Sequence, residues 1–104
     1  MALKSTRLMT TGIEQVFLAV GQQAITTIYI CNTTGSTVSV NVFAVSDGST
    51  SGGSENQIYS ELEITANDTY VISTEKLILD DTDQIEAQAN IADAVTVTVS
   101  SIEI

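Results

Sequence analysis

Carboxylates are the only reactive side chains this chain holds in number: thirteen acids stand against Lys4, Arg7 and Lys76, with no histidine and a single cysteine. Two carboxylates facing each other across a cleft can split a glycosidic bond, one as acid and the other as nucleophile or base. Glu61 and Glu63 are the nearest pair. They lie in a segment that alternates as a strand does, Ile58, Ser60, Leu62 and Ile64 against Tyr59, Glu61, Glu63 and Thr65. The second of those faces reads as the solvent side, and with aromatic residues at 5 % there is little to stack a sugar ring against. Asp80-Asp81-Thr82-Asp83 is tight enough to consider for calcium, which takes several oxygens from one loop. It lacks the glycine and the distant glutamate of an EF-hand, and reads as a solvated acidic turn.

Other chemistries are excluded by composition. A serine or cysteine nucleophile needs a base that titrates near neutrality, and there is no histidine. Cys31 has no partner for a disulfide and cannot make a zinc site alone. The glycines between Gly48 and Gly53 lack the Lys-Ser/Thr ending of a phosphate-cradling loop. The chain is therefore expected not to be an enzyme and to carry no metal or cofactor. A formal charge of −10 repels nucleic acid and anionic membrane surfaces alike. No apolar stretch follows the Lys4–Arg7 flank as a secretory signal would require, and none approaches the length of a membrane span.

The elements that must carry these residues are strands. Thr37 to Val42 and Val95 to Ser100 each place valine on one face and a small polar residue on the other, the period of a half-buried strand. In the first hairpin Val38, Val40, Val42 and Ala44 form the core face, and Phe43 and Val45 point the other way. Ala24 to Asn32 is apolar enough to read as a central strand buried on both sides. Residues 46–57 form a Gly/Ser-rich surface loop, and Thr69 to Leu79 and Gln84 to Asn90 continue the strand pattern. The last strand changes parity at Ser100-Ser101, from odd valines to even Ile102 and Ile104, which signals a bulge or an end that leaves the sheet. Seven to eight strands with turn signals every 8–12 residues or so and no convincing helix make an all-β chain, an antiparallel β-sandwich or small barrel. Residues 1–12 read as an N-terminal arm and 13–104 as one sandwich domain.

The order Ile28-Tyr29-Ile30-Cys31-Asn32-Thr33-Thr34-Gly35, the valine hairpin, Asn56-Gln57-Ile58-Tyr59, Asn67-Asp68-Thr69-Tyr70-Val71-Ile72-Ser73-Thr74-Glu75-Lys76-Leu77-Ile78-Leu79 and Asp83-Gln84-Ile85-Glu86-Ala87 resembles small virion structural proteins of tailed bacteriophages, cyanophages among them. That resemblance implies an Ig-like or jelly-roll sandwich, made in the bacterial host cytoplasm and residing in the virion as a capsid cement or decoration protein. Its partners would be other virion proteins, the major capsid protein first, with a homo-oligomer, a trimer, as its own state. A neck or tail component is the alternative within the particle. A carbohydrate- or cell-surface-binding sandwich is the alternative outside it, and would gain from three of Phe17, Tyr29, Phe43, Tyr59 and Tyr70 converging on one open surface. The candidate subunit-interface residues are Lys4 and Arg7 on the arm, the outward Phe43 and Val45, and Ile102 and Ile104 at the carboxyl end.

Overall fold

Alternating valine decides most of the architecture, because each strand that has it must bury one face, and among the described residues no helix covers the other. In the last strand Val95, Val97 and Val99 are buried while Thr96, Thr98 and Ser100 are half-exposed. The structure is a computed structural model that describes residues 2–47, 52–73 and 77–104. Lys76 and residues 48–51 of the Gly/Ser-rich loop lie outside the described residues. Within them the strands are β1 (Ala2–Leu8), β2 (Glu14–Leu18), β3 (Gln23–Asn32), β4 (Val38–Val45), β5 (Gln57–Ile64), β6 (Thr69–Ile72), β7 (Leu77–Leu79), β8 (Gln84–Ala89) and β9 (Val95–Glu103).

They form two antiparallel sheets. One has the order β1-β9-β3-β6, with β7 beside β6 on the same edge of β3, and is called sheet A below; sheet B has the order β2-β8-β4-β5. β6 covers Ile28 to Cys31 of β3 and β7 covers Gln23 to Ile25, so together they act as one edge strand in two segments. Counted that way the chain has eight strands paired from the outside inwards: first with last, second with seventh, third with sixth, fourth with fifth. A long hairpin whose nested pairs are rolled into two facing sheets is a jelly roll. The pairing selects this topology over the Ig-like one.

Between the sheets lies an aliphatic core: Ile25, Ile28 and Ile30 from β3, Val38, Val40 and Val42 from β4, Ile85, Ala87 and Ala89 from β8, the three β9 valines, and Leu8, Phe17, Ile64, Ile72 and Leu79. Two expectations change here. The stretch expected to be an N-terminal arm is built into the sandwich: Ala2–Leu8 is an edge strand in unbroken register with β9, held by Leu8, which is fully buried opposite Val95. β3 is buried on one side only, because no third layer covers Tyr29.

Bulges account for the other departures from simple alternation. β9 keeps its parity through Ser101, which is fully buried, so the break in hydrophobic pattern is a small polar residue taking an inward position and not a slip. The extra residue sits on the partner strand: Ile25 pairs with Ser101 and Thr27 with Ser100, leaving Thr26 as the bulge. In β5, Leu62 pairs with Val40 but Tyr59 with Val42, so Ser60 and Glu61 share one place in the ladder. The bulge turns Tyr59 towards the core and Ile58 outwards, the reverse of the alternation expected for Ile58 and Ser60.

Candidate functional site

Each sheet turns its second face to solvent, and the two faces differ. Residues directly opposite one another on neighbouring strands share a face, so the outer surface of sheet A can be read in rows. One row is Ile102, Ala24 and Ile78; another is Ser5, Thr98, Tyr29 and Val71; a third is Arg7, Thr96, Cys31 and Thr69; Leu3 lies beside Ser100. Leu3 is 71 % exposed and Ile78 64 %, and Tyr29, Val71 and Ile102 are also exposed. Hydroxyls fill the space between them. Ser5 Oγ and Thr98 Oγ1 are 2.9 Å apart, and Thr26 donates to Ser100 O at 3.1 Å. This is a flat face of apolar and hydroxyl groups whose charges are confined to its margins.

Ile102 and Ile104 stand at one end of that face, both exposed, with the Ile104 N–H donating to Gln22 O at 3.0 Å. The acidic turn lies at the same end. Its carboxylates are held by donors from other segments, Asp81 by Gly21 N–H at 2.8 Å, Asp80 by Gln22 Nε2 at 2.9 Å and Asp83 by Asp47 N–H at 2.8 Å, and Asp83 also accepts Asp80 N–H within the turn. They tie the β2–β3, β4–β5 and β7–β8 connections together. Thr82, at φ 71°, takes a backbone conformation that a β-branched residue rarely adopts, and its N–H donates to Ala19 O.

Lys4 and Arg7 do not act as one element. Arg7 is clamped inside the chain, Nε on Asp93 Oδ1 at 2.8 Å, Nη2 on Asp93 O at 2.8 Å and Nη1 on Thr96 Oγ1 at 3.0 Å, which fixes the β8–β9 turn to β1. Lys4 lies opposite Val99, on the inward side of the edge strand, and is exposed at a groove of about 290 Å3 shared with Gln15, Val16, Phe17 and Leu18 of β2. An inward-pointing lysine on an edge strand obstructs the addition of another strand.

Phe43 and Val45 require a correction as interface residues. They do point away from the main core, but both are almost fully buried. The returning β4–β5 connection covers the outer face of sheet B at this point: a Cβ on Gly52 would lie 2.9 Å from Phe43 Cγ, and Gly52 N–H donates to Glu86 at 2.6 Å. Only glycine lets the backbone come so close to the ring. This cover was hidden in the sequence because the loop reads as polar and flexible.

Beyond that cover the outer face of sheet B is open and polar. Thr11, Ser39, Asn41, Glu61, Gln88 and Asn90 line a groove of about 230 Å3 with Ala89. Glu61 sits in the β5 bulge at φ 51°, the left-handed region that glycine favours, and its N–H donates to Asn41 Oδ1 at 2.7 Å. Nothing along the chain marks these amides for a role, since Asn and Gln on the polar face of a strand look like solvated surface until the bulge and the β1–β2 connection raise walls around them.

The aromatic residues do not gather. Phe17 and Phe43 are buried, Tyr59 packs on the core, and Tyr29 and Tyr70 fall on opposite faces of sheet A, opposite Val71 and Ile30 respectively. Among the described residues there is no group of three or more acids or cysteines placed to hold a metal ion, and no helix long and apolar enough to cross a membrane. No family model matches the chain, and no curated protein matches it.

Proposed function

We propose that the chain is a structural protein of a tailed-phage virion, a cement or decoration protein that stabilises the head by binding neighbouring subunits, above all the major capsid protein, and that it works as a trimer. The observation that carries this reading is the outer face of sheet A. Leu3, Tyr29, Val71, Ile78 and Ile102 leave apolar area uncovered across a sheet face whose other side chains are mostly small hydroxyls, with Ala24, Cys31 and Arg7 among them. Several large exposed apolar side chains on one face of a small chain mark it as a contact surface. A stable contact buries about 800 Å2 per partner, and a face spanned by four strands is broad enough to supply a contact of that kind.

Three further features support it. The jelly roll is one of the architectures used by viral capsid domains, a fold-level analogy. The sequence order quoted above resembles phage structural proteins. A charge of −10 keeps the free subunit soluble and directs it to a partner with basic or apolar surface. The mechanism is burial: each contact is weak, and symmetry multiplies it.

Mass spectrometry and reconstruction of purified particles test the proposal, with light scattering on the free chain to read its mass. The expected results are many symmetric copies on the head with sheet A towards the shell, and a trimer in solution. Ile78→Asp with Ile102→Asp should leave the fold within about 0.5 kcal/mol of wild type, as exposed substitutions do, and abolish attachment to particles stripped of the chain. Absence of the chain from purified particles would end the reading.

A further inference from the structure

We infer that the groove on the outer face of sheet B is a binding site for a neutral carbohydrate, read through hydroxyl groups by Glu61, Asn90, Asn41 and Gln88. The groove lies on the opposite side of the sandwich from the face assigned to docking, so the inference does not depend on the virion reading.

The argument starts from backbone donors, which can only donate. Ser39 N–H points at Asn90 and Glu61 N–H at Asn41, so both of those side chains must offer oxygen to the backbone, at 2.9 and 2.7 Å. The orientation of each amide follows. With Oδ1 so held, Asn41 Nδ2 donates to Gln88 Oε1 at 3.1 Å, and Gln88 Nε2 is left to donate to Thr11 O at 3.1 Å. Three amides are thereby fixed in sequence from the two strand backbones, and each keeps N–H capacity beyond those bonds.

The acceptor comes from the far wall. No described residue hydrogen-bonds the Glu61 carboxylate or the Asn90 side-chain Nδ2. A carboxylate and spare amide N–H groups lining one groove match the chemistry of a diol, in which every hydroxyl both donates and accepts. The same arrangement suits a cation poorly. Two amide oxygens are taken by backbone N–H groups, and the third by Asn41, so one carboxylate would face a hard ion that takes at least six oxygens. Glu61 and the net charge of −10 exclude anionic sugars.

Backbone strain points the same way. A non-glycine residue at positive φ costs about 1–3 kcal/mol and persists where the surroundings enforce it. Here the bulge raises Glu61 at the groove wall, and Asn41, itself part of the lining, secures it. At about 230 Å3 the groove is smaller than the ~300–1,000 Å3 of pockets that enclose compact ligands. It opens to solvent, so a ligand larger than the groove lies in it only in part. With no aromatic floor the contact is polar and weak, and repetition would supply its strength.

The test is a titration of the isotope-labelled chain with neutral oligosaccharides, maltohexaose, cellohexaose and chitohexaose, read by amide and side-chain NH2 chemical shifts. At least one should move the Glu61 N–H and the NH2 signals of Asn41, Gln88 and Asn90. Glu61→Gln and Asn90→Ala should each weaken that sugar at least tenfold, and Ile102→Asp should leave it unchanged. The inference is overturned if no oligosaccharide shifts these signals up to its solubility limit, or if both groove variants bind as wild type does. It is also overturned if a neutral extended peptide shifts them and the sugars do not. None of these outcomes bears on whether the chain is found in particles.

Discussion

Asn32 is fully buried at the end of β3, and removing its side chain should cost more than any surface substitution in this chain. Its Nδ2 donates to Ser36 O at 2.7 Å, Ile64 O at 3.0 Å and Thr65 O at 3.3 Å, and its Oδ1 accepts Thr34 N–H at 3.0 Å and the Thr34 hydroxyl at 2.8 Å. One amide thus joins sheet A to the end of β5 in sheet B and closes the β3–β4 turn. The three shortest of the backbone hydrogen bonds at about 1 kcal/mol each, with a further ~1 kcal/mol for leaving the buried Ile64 carbonyl short of this donor, put Asn32→Ala at about 3–4 kcal/mol. Against a total stability of roughly 5–15 kcal/mol that is a large share. At roughly 4–8 °C per kcal/mol for a domain of this size, the melting temperature should fall by about 12 °C or more. Urea denaturation followed by circular dichroism measures it. A loss below about 1 kcal/mol, the worth of a single such bond, would show that this network does not hold the two sheets together.

Asn32→Asp sharpens the same test, because it keeps the shape and exchanges donor for acceptor. The new carboxylate would face three carbonyl oxygens, so its ionised form is disfavoured in the folded state and its pKa rises above the ~3.9 of the unfolded chain. The folded state then binds the proton more tightly. Relative to wild type, the variant should be least destabilised below about pH 4 and lose stability as pH climbs towards the raised folded value. A difference curve that rises with pH would show that the oxygen end of the amide, and not the nitrogen end, faces these carbonyls.

Two other substitutions probe how the faces are covered. Gly52→Ala places a methyl 2.9 Å from Phe43 Cγ and should lift the loop from the ring, costing about 1–3 kcal/mol as overpacking does; hydrogen exchange should quicken at Gly52 N–H, and an unchanged rate would refute the close packing. Lys4→Val removes the inward charge from a regular edge strand and should promote edge-to-edge association, seen as a concentration-dependent rise in mass by light scattering, whereas a mass identical to wild type at every concentration would show that Lys4 does not guard this edge.

Much of the fold was legible because alternation is a local signal. A valine every second residue in β4 and β9 declares both the strand and its buried face, since consecutive side chains point to opposite sides. Turn residues at Thr33–Ser36 and Ala66–Asp68 marked reversals of the chain in the same local way, but Thr33–Ser36, expected to close a hairpin, joins β3 of sheet A to β4 of sheet B, which do not pair; a local turn signal does not say which strands lie side by side. Bulges were not legible with certainty. The parity break near Ser101 suggested one on β9, but the extra residue proved to be Thr26 on the partner strand, and the β5 bulge reversed Ile58 and Tyr59 without any glycine to announce it. A bulge is a property of two strands in register, and no single stretch contains it.

The amino-acid sequence alone determined that the chain is made of strands, that its core is aliphatic, and that it holds no histidine and a single cysteine, since composition and a period of two are written along the chain itself. Only the tertiary structure decided that the strands nest as a jelly roll, that Phe43 and Val45 are covered, that Arg7 serves the fold, and that amides from three elements meet in one groove. Those facts depend on which distant backbones lie side by side, and long-range pairing is selected by the packing of the whole core.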